Sequence, residues 1–348
     1  MKKYLILADG NSPHTLKWIK ELKHYFDIYL ISFNGIAENL YLFLDKNKIF
    51  DLKINISVTG NNLSIIKLLP KVINIIDYIN PDFINAHYIT SYGTIGALAK
   101  IFSKNNAKLI LSAWGSDILV TPFKNKLYYY LTKFVLSKAN LVTSDSNYMA
   151  DFIQKIGECN NLLVFPFGID RMPDVKKEEK DYNYFFSNRA LEPNYNIKLV
   201  IDIFKNLYTQ NNNLKLIVAN DGTERNFLEK YVTDSKLTNA VEFVGYLSAE
   251  EMSVYYRKCG YYFTLPTSDS TSVSLLEAMA YGCIPIVSDI PANLEWIRNG
   301  KNGIIYSENY KEIKYLNEAY DINRNFIQEK ALWSNCIKGY TNKLNKDC

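Results

Sequence analysis

A chain of 348 residues is longer than the roughly 100–200 residues of a single domain, so two domains are expected, each able to bury its own core. Hydrophobic residues make up 48% and charged residues 22%, a balance that excludes a disordered chain. The net charge of +4 is too small for a surface devoted to nucleic acid, yet it is uneven: residues 1–168 hold 18 Lys+Arg against 12 Asp+Glu, and residues 169–348 hold 22 against 24, so an anionic partner is expected on the first half.

Lys2 and Lys3 ahead of the apolar residues 4–8 have the outline of a secretory leader, but the run stops at Asp9-Gly10, short of the about 7–15 residues a leader needs. It is read as a first strand. Helical periodicity follows over 15–25, then a strand over 28–33, a helix over 63–78, a strand over 83–86, a helix over 92–103, a strand over 108–113, a helix over 125–138 and a strand over 141–144. Short apolar runs alternating with amphipathic stretches indicate a parallel α/β layer, so residues 1–168 are read as one doubly wound unit. Pro166-Phe167-Gly168-Ile169-Asp170, Met172-Pro173 and a charge-rich stretch to 181 have linker composition. The alternation then restarts, with strands over 184–187, 215–219, 241–244, 261–264 and 284–288 and helices over 197–209, 225–234, 250–258 and 273–281, giving a second unit over 169–321. Residues 322–348 form a helical tail whose Phe326, Leu332, Trp333 and Ile337 make an apolar stripe. No run approaches the about 18 apolar residues of a membrane span. Cys159, Cys259, Cys283, Cys336 and Cys348 are scattered without zinc spacing, which suits a reducing cytoplasm.

In a parallel sheet, ligands meet the loops that leave the carboxyl ends of strands. The first such loop, Asp9-Gly10-Asn11-Ser12-Pro13-His14, has Ser12 as an N-cap and Pro13 at the first helical position. It lacks G-x-G-x-x-G and reads equally as a ligand loop or a plain turn. His87 follows a strand directly, either as a buried structural histidine or as a site residue. In Trp114-Gly115-Ser116-Asp117 the carboxylate is either a helix cap or a functional acid. The most informative stretch is Thr267-Ser268-Asp269-Ser270-Thr271-Ser272-Val273-Ser274-Leu275-Leu276-Glu277-Ala278-Met279-Ala280, continuing through Gly282 to Pro285. A strand feeds a hydroxyl-rich loop and then a helix whose first-turn amides carry about +0.5 charge, an anion site for a phosphate. The bland alternative is that Asp269 and Ser272 only cap the helix and Glu277 is solvated.

This stretch resembles the C-terminal signature of the retaining glycosyltransferases of family 4, the group 1 enzymes with the GT-B fold, in which two glutamates are separated by seven residues. Here Asp269 stands in the first position and Glu277 in the second. The likeness continues through Asp289-Ile290-Pro291, Glu295 and Asn299-Gly300, and backward through Asn220-Asp221-Gly222 and Phe243-Val244-Gly245-Tyr246-Leu247. It implies two Rossmann-like α/β domains facing a central cleft, the second holding a nucleotide sugar. Glu277 would meet the ribose, Asp269 the donor sugar, and Ser270, Thr271, Ser272 and Val273 the diphosphate, with Tyr246 also in the donor-binding set. Arg189 matches the family's arginine after the first strand of this domain. The lysine expected about five residues later is absent: Tyr195 occupies its position, with Lys198 as the candidate replacement. From the first domain, the resemblance puts His87 at the donor sugar, Asp117 toward the acceptor as orienting group or base, and Asn11 and His14 along the same cleft.

A departing nucleoside diphosphate gains negative charge that a cation must stabilise. One guanidinium at ~4 Å gives roughly 4 kcal/mol at an effective dielectric of about 20, and the helix terminus adds ~0.3–2 kcal/mol. No D-x-D triplet occurs, so neither a metal nor another cofactor is expected. Residues 123–138 interleave lysines with aromatics at helical spacing, as an interfacial helix does, so an anionic membrane surface joins the expected partners, and nucleic acid does not. The implied activity is retaining, metal-independent transfer of a hexose or N-acetylhexosamine, from UDP by family frequency, to a glycan or lipid-linked glycan in envelope polysaccharide synthesis. The cytoplasm, at the inner face of the plasma membrane, is the expected location. The departures at Asp269 and Tyr195 leave two alternatives: an inactive nucleotide-sugar-binding subunit and a nucleotide-sugar epimerase.

Overall fold

The apolar runs assemble into two all-parallel sheets in a computed structural model of the chain, which describes residues 1–53, 63–157, 159–307, 313 and 315–347. Cys348 lies outside the described residues. Contacts divide the chain into one unit of Met1–Phe165 with Ile337–Cys348 and a second of Pro166–Cys336. The tail expected over 322–348 is thus shared between them.

In the first unit the chain runs β1 (Lys3–Leu7), α1 (Pro13–Leu22), β2 (Asp27–Ser32), β3 (Ile49–Asp51), α2 (Leu69–Ile79), β4 (Phe83–His87), α3 (Gly93–Phe102), β5 (Lys108–Ser112), α4 (Ser116–Leu119), α5 (Lys126–Ser137), β6 (Leu141–Ser144), α6 (Asn147–Gly157) and β7 (Leu162–Val164). The strand order is β3-β2-β1-β4-β5-β6-β7. Strands with helices on both faces bury both rows of side chains, which is why Tyr4, Leu5, Ile6 and Leu7 are all fully buried and read as an unbroken apolar run. The helix expected over 63–78 is divided: a 3-10 turn, Leu63–Leu68, precedes α2, and Pro70 sits in the first turn of α2, where its missing N–H costs nothing.

The second unit continues with β8 (Asp181–Ser187), α7 (Ile197–Tyr208), β9 (Lys215–Ala219), α8 (Arg225–Asp234), β10 (Val241–Gly245), α9 (Ala249–Lys258), β11 (Cys259–Thr264), α10 (Val273–Ala280), β12 (Ile284–Val287), α11 (Pro291–Leu294), β13 (Ile304–Ile305), α12 (Ala319–Lys330) and α13 (Trp333–Asp347), the last crossing into the first unit at Ile337. Its order is β10-β9-β8-β11-β12-β13. Phe185 of β8 stacks on Tyr261 of β11 at 4.7 Å and lies 5.5 Å from Phe263, so aromatic cross-strand pairs fix the register at the centre of the sheet. Truncating the fully buried Phe263 to alanine would cost about 3–5 kcal/mol. The tail is not one helix. It breaks at Ala331–Leu332, where the Ile169 amide donates to Ala331 O at 2.8 Å and the Trp333 amide to Ile169 O at 2.8 Å. A Cβ at Gly168 would collide with that Ala331 carbonyl, so the linker needs glycine there.

Each sheet reverses its winding once: strands are added outward from β1 to β3 and then from β4 to β7, and likewise from β8 to β10 and from β11 to β13. The reversal points, β1/β4 and β8/β11, are where an open parallel sheet leaves a crevice at its carboxyl edge. The candidate residues cluster at both.

Candidate active site

In the second unit, Arg189 lies two residues beyond β8, and the loop after β11 carries Asp269. The Arg189 Nη2 donates to Asp269 Oδ2 at 2.7 Å, and Nη1 donates to Ser274 Oγ at 3.1 Å and to Ser272 Oγ. Its guanidinium lies over the Tyr195 ring, 4.3 Å from the centroid. The ion pair is mostly enclosed, with side-chain exposures of 10% for Arg189 and 21% for Asp269. Burial works against the guanidinium's charge, but Asp269, Tyr262 and Tyr195 more than offset it, so Arg189 stays charged.

Ser272 is the N-cap of α10, accepting from the Leu275 amide at 3.4 Å. The amides of Val273 and Ser274 that follow it have no intrahelical acceptor, so the positive end of the helix opens beside Arg189. Asp269 Oδ1 takes the Ser270 amide at 3.0 Å, and Trp296 Nε1 donates to Thr271 Oγ1 at 3.4 Å. Ser270, Thr271 and Ser272 are buried, and the loop that looked hydroxyl-rich in sequence turns much of that polarity toward its own scaffold.

Glu277 lies one turn further along α10, about 6 Å of helix rise from Val273. Its Oε2 accepts from the Tyr256 hydroxyl at 3.1 Å. That hydroxyl accepts in turn from Asn188 Nδ2 at 2.9 Å, and Asn188 Oδ1 accepts from the Tyr262 hydroxyl at 2.7 Å. Burial, followed by the Glu277 charge, pushes the Tyr256 phenol well above its usual range, so it remains a donor. A relay from β11 through the end of β8 and α9 therefore orients Glu277.

Two expected members are not brought to this cluster. The Lys198 ammonium lies 2.8 Å from Asp202 Oδ2, one helical turn along α7, and over the Tyr231 ring at 4.4 Å. Tyr246 follows the edge strand β10, two strands from β8, and is 80% exposed. In this structure Lys198 pairs with an acid one turn along its own helix rather than with the Arg189 cluster.

In the first unit, His87 ends β4 and is 2% exposed. Its ring is walled by Trp18 and Trp114, each 5.3 Å away between centroids. Thr143 donates to Ser112 Oγ at 3.1 Å, Ser112 to Asn85 Oδ1 at 2.9 Å, and Asn85 Nδ2 faces His87 Nε2 at 3.4 Å, which sets Nε2 as the acceptor of a neutral imidazole. Burial, with a smaller contribution from His14, lowers its pKa to about 3, and burial lowers that of His14, whose ring lies tilted 4.9 Å from Trp114, to about 4. Asn11 is exposed, its side chain donating to Asn34 O at 2.5 Å.

Asp117, in the loop region after β5, folds back on the backbone around it. It is 2% exposed, sits inside α4 rather than capping it, and its two oxygens accept from the Ile89 amide at 2.8 Å and the Trp114 amide at 3.0 Å. Gly115, at φ +110°, makes the turn that returns the carboxylate to Trp114. The Ile89 bond pins the residue after Tyr88, whose φ of +63° is strained for an aromatic side chain. Asp117 thus clamps two strand-end loops.

Sequence reasoning missed Tyr256, Asn188, Ser274 and Trp18 as supports of the site. Tyr256 lies 21 residues from the glutamate it orients, and no local pattern signals such a pairing. Asn188 was legible only as the neighbour of Arg189.

Two family models match the chain, Glycosyl transferase 4-like over residues 3–146 and Glycosyl transferases group 1 over residues 169–329. An uncharacterized glycosyltransferase of Methanocaldococcus jannaschii is 24% identical over 97% of this chain and 94% of its own. The O-antigen chain mannosyltransferase RfbU of Salmonella typhimurium is 29% identical over 51% of this chain and 50% of its own. Among solved structures, Anabaena HepE in complex with UDP superposes with a TM-score of 0.69 at 18% identity, covering 99% of this chain and 95% of its own. The fold is GT-B, built from two parallel-sheet α/β units.

Proposed function

The chain belongs to the group 1 glycosyltransferases, and from that membership we propose that it is a retaining enzyme that moves a hexose or N-acetylhexosamine from UDP to a glycan or lipid-linked glycan. The observation that carries the reading is the charged Arg189 beside the open amino end of α10, with Glu277 oriented further along the same helix. A diphosphate laid against the Val273 and Ser274 amides would take the guanidinium from Asp269, and the ribose of the same nucleotide would reach Glu277. Asp269, released from Arg189, would then face the donor sugar.

As the glycosidic bond breaks, its electron pair passes to the diphosphate oxygen, whose charge Arg189 and the helix terminus stabilise, while the acceptor hydroxyl oxygen bonds to the anomeric carbon from the same face and its proton passes to the departing diphosphate. We assign the step to Arg189 and the helix terminus without a metal. UDP is favoured by the complex of the HepE neighbour with that nucleotide. RfbU, which acts on O-antigen chains, favours an envelope glycan as acceptor.

A lipid-linked acceptor is favoured by the outer face of α5 and the turn before it. Phe123, Leu127 and Tyr130 are 53%, 68% and 64% exposed there, beside the exposed Lys126 and Lys133. No acid occurs between Asp117 and Asp145, so this face suits an anionic bilayer on the cytoplasmic side. Among the described residues no helix is long and apolar enough to cross a membrane.

The test is a panel of nucleotide sugars read by nucleotide release, with and without a chelator. Release from a UDP sugar that survives chelation, is lost in Glu277→Ala and yields a product of unchanged anomeric configuration supports the reading. Release undiminished in Glu277→Ala contradicts the site. Binding without turnover on any acceptor identifies a binding subunit.

A further inference from the structure

We propose that Tyr195 is a positioning residue for the donor diphosphate, its ring holding the Arg189 guanidinium in the orientation that receives phosphate, so that one preorganised cation serves this site. The inference rests on the nucleotide-sugar reading above and concerns how this chain manages with tyrosine where the resemblance leads one to expect lysine.

The ring is fixed by the loop that also carries Asp269. Tyr195 ends a 3-10 turn, Pro193–Tyr195, flanked by two asparagines that stitch the loop after β8 to the loop after β11. Asn194 Oδ1 accepts from Thr267 Oγ1 at 2.7 Å and from the Ser268 amide at 3.2 Å, while its Nδ2 donates to Ser268 O at 3.0 Å. The Thr267 amide donates to Asn194 O at 2.8 Å. Asn196 adopts φ 51°, tolerable for asparagine, and its Nδ2 donates to Leu265 O at 3.0 Å. The side chain of Tyr195 packs partly against the apolar core of the second unit. Its face is therefore set before any ligand arrives.

A guanidinium is planar, and an aromatic face covers one side of that plane while leaving its N–H edge for acceptors. Arg189 uses that edge now on Asp269 Oδ2, Ser272 Oγ and Ser274 Oγ, all oxygens at the mouth of α10. Phosphate oxygens can replace the carboxylate on the same edge without turning the guanidinium. Lys198, held on Asp202, does not supply a second cation in this arrangement. A cation already oriented and half desolvated binds its anion with less loss of freedom than one that must be ordered on binding.

The experiment is titration calorimetry of the full chain with UDP, GDP and ADP. The variants are Tyr195→Leu, which keeps apolar volume against the core, Tyr195→Phe, which keeps the ring, and both in an Arg189→Ala background. Thermal melts accompany each. The expected result is that Tyr195→Leu weakens nucleotide binding about tenfold, that Tyr195→Phe stays within about twofold, and that in Arg189→Ala the leucine adds less than about a twofold loss. Wild-type affinity in Tyr195→Leu, an equal loss in Tyr195→Phe, or a full additional loss without Arg189 would each overturn the inference while leaving the donor site standing. A wild-type chain that binds none of the three nucleotides overturns the donor reading and this inference with it.

Discussion

Replacing Arg189 by methionine keeps the length of the stem and removes the charge, leaving Asp269 at 21% side-chain exposure without its counter-ion. Breaking an enclosed pair by deleting one partner costs about 3–5 kcal/mol at neutral pH, because an uncompensated carboxylate stays in a poorly hydrated place. The carboxylate can escape that cost by taking up a proton. Burial already raises the pKa of Asp269, with Arg189 opposing, so removing the arginine raises it further. A folded-state pKa above the unfolded value means that the native variant holds its proton to higher pH, so its stability falls as pH rises above about 4. The deficit of Arg189→Met relative to wild type should therefore be largest near neutrality and shrink as the solution is acidified. For a chain of this size about 3 kcal/mol corresponds to several degrees in the melting temperature of the second unit. Melting curves of both proteins across a pH series measure the gap. A deficit that is the same at every pH, or below about 0.5 kcal/mol throughout, would refute the enclosed pair.

Tyr256→Phe removes the hydroxyl that links Asn188 to Glu277, leaving the half-buried Asn188 amide the Met252 sulfur at 3.2 Å and taking one hydrogen-bond donor from Glu277. Urea unfolding should show a loss of about 1–3 kcal/mol, and UDP affinity measured by calorimetry should fall about fivefold or more; unchanged affinity would show that Glu277 needs no such support. His87 has a folded-state pKa of about 3 against an ordinary value of about 6.5, so the unfolded chain binds the proton first and stability falls as pH drops through that window. His87→Gln should accordingly melt with a shallower decline between about pH 6.5 and about pH 4, where the wild-type slope from this residue approaches about 1.4 kcal/mol per pH unit; an identical decline in both proteins would contradict the neutral, enclosed imidazole. Asp117→Ala should free the amides of Ile89 and Trp114 and cost about 2–4 kcal/mol by thermal melting, relaxing the strained Tyr88; a change below about 0.5 kcal/mol would mean that the clamp is dispensable.

The sheets were legible because parallel strands buried on both faces read as plain apolar runs, and β9 and α8 fall where periodicity places them. The short elements β3, β13, α4 and α11 escaped notice, and so did the 11-residue α6. Strands of two or three residues, such as Ile304–Ile305, owe their existence to a neighbour's hydrogen bonds rather than to pattern, and α6 lies in a stretch whose Ser144, Asp145 and Ser146 suggest only a turn. The tail read as one helix because its apolar stripe is continuous, whereas the break at Ala331 is imposed from outside by the backbone of Ile169. At the site, Arg189, Asp269, Ser272 and Glu277 could be named because one helix and one strand end carry them. Lys198 could not be settled from spacing: its distance from Arg189 is suitable, but Asp202 lies one turn away on the same helix face. Asp117 shows the opposite difficulty, since a carboxylate after a strand end looks the same in sequence whether it faces a substrate or folds back on two amides.

The account stands on a nucleoside diphosphate seated at the amino end of α10. A crystal structure of the chain grown with UDP tests this directly. The account predicts diphosphate oxygens within hydrogen-bonding distance of the Val273 and Ser274 amides, the Arg189 guanidinium transferred to them with its plane still on Tyr195, and Glu277 on the ribose hydroxyls. UDP bound elsewhere, with Arg189 still paired to Asp269, would contradict it.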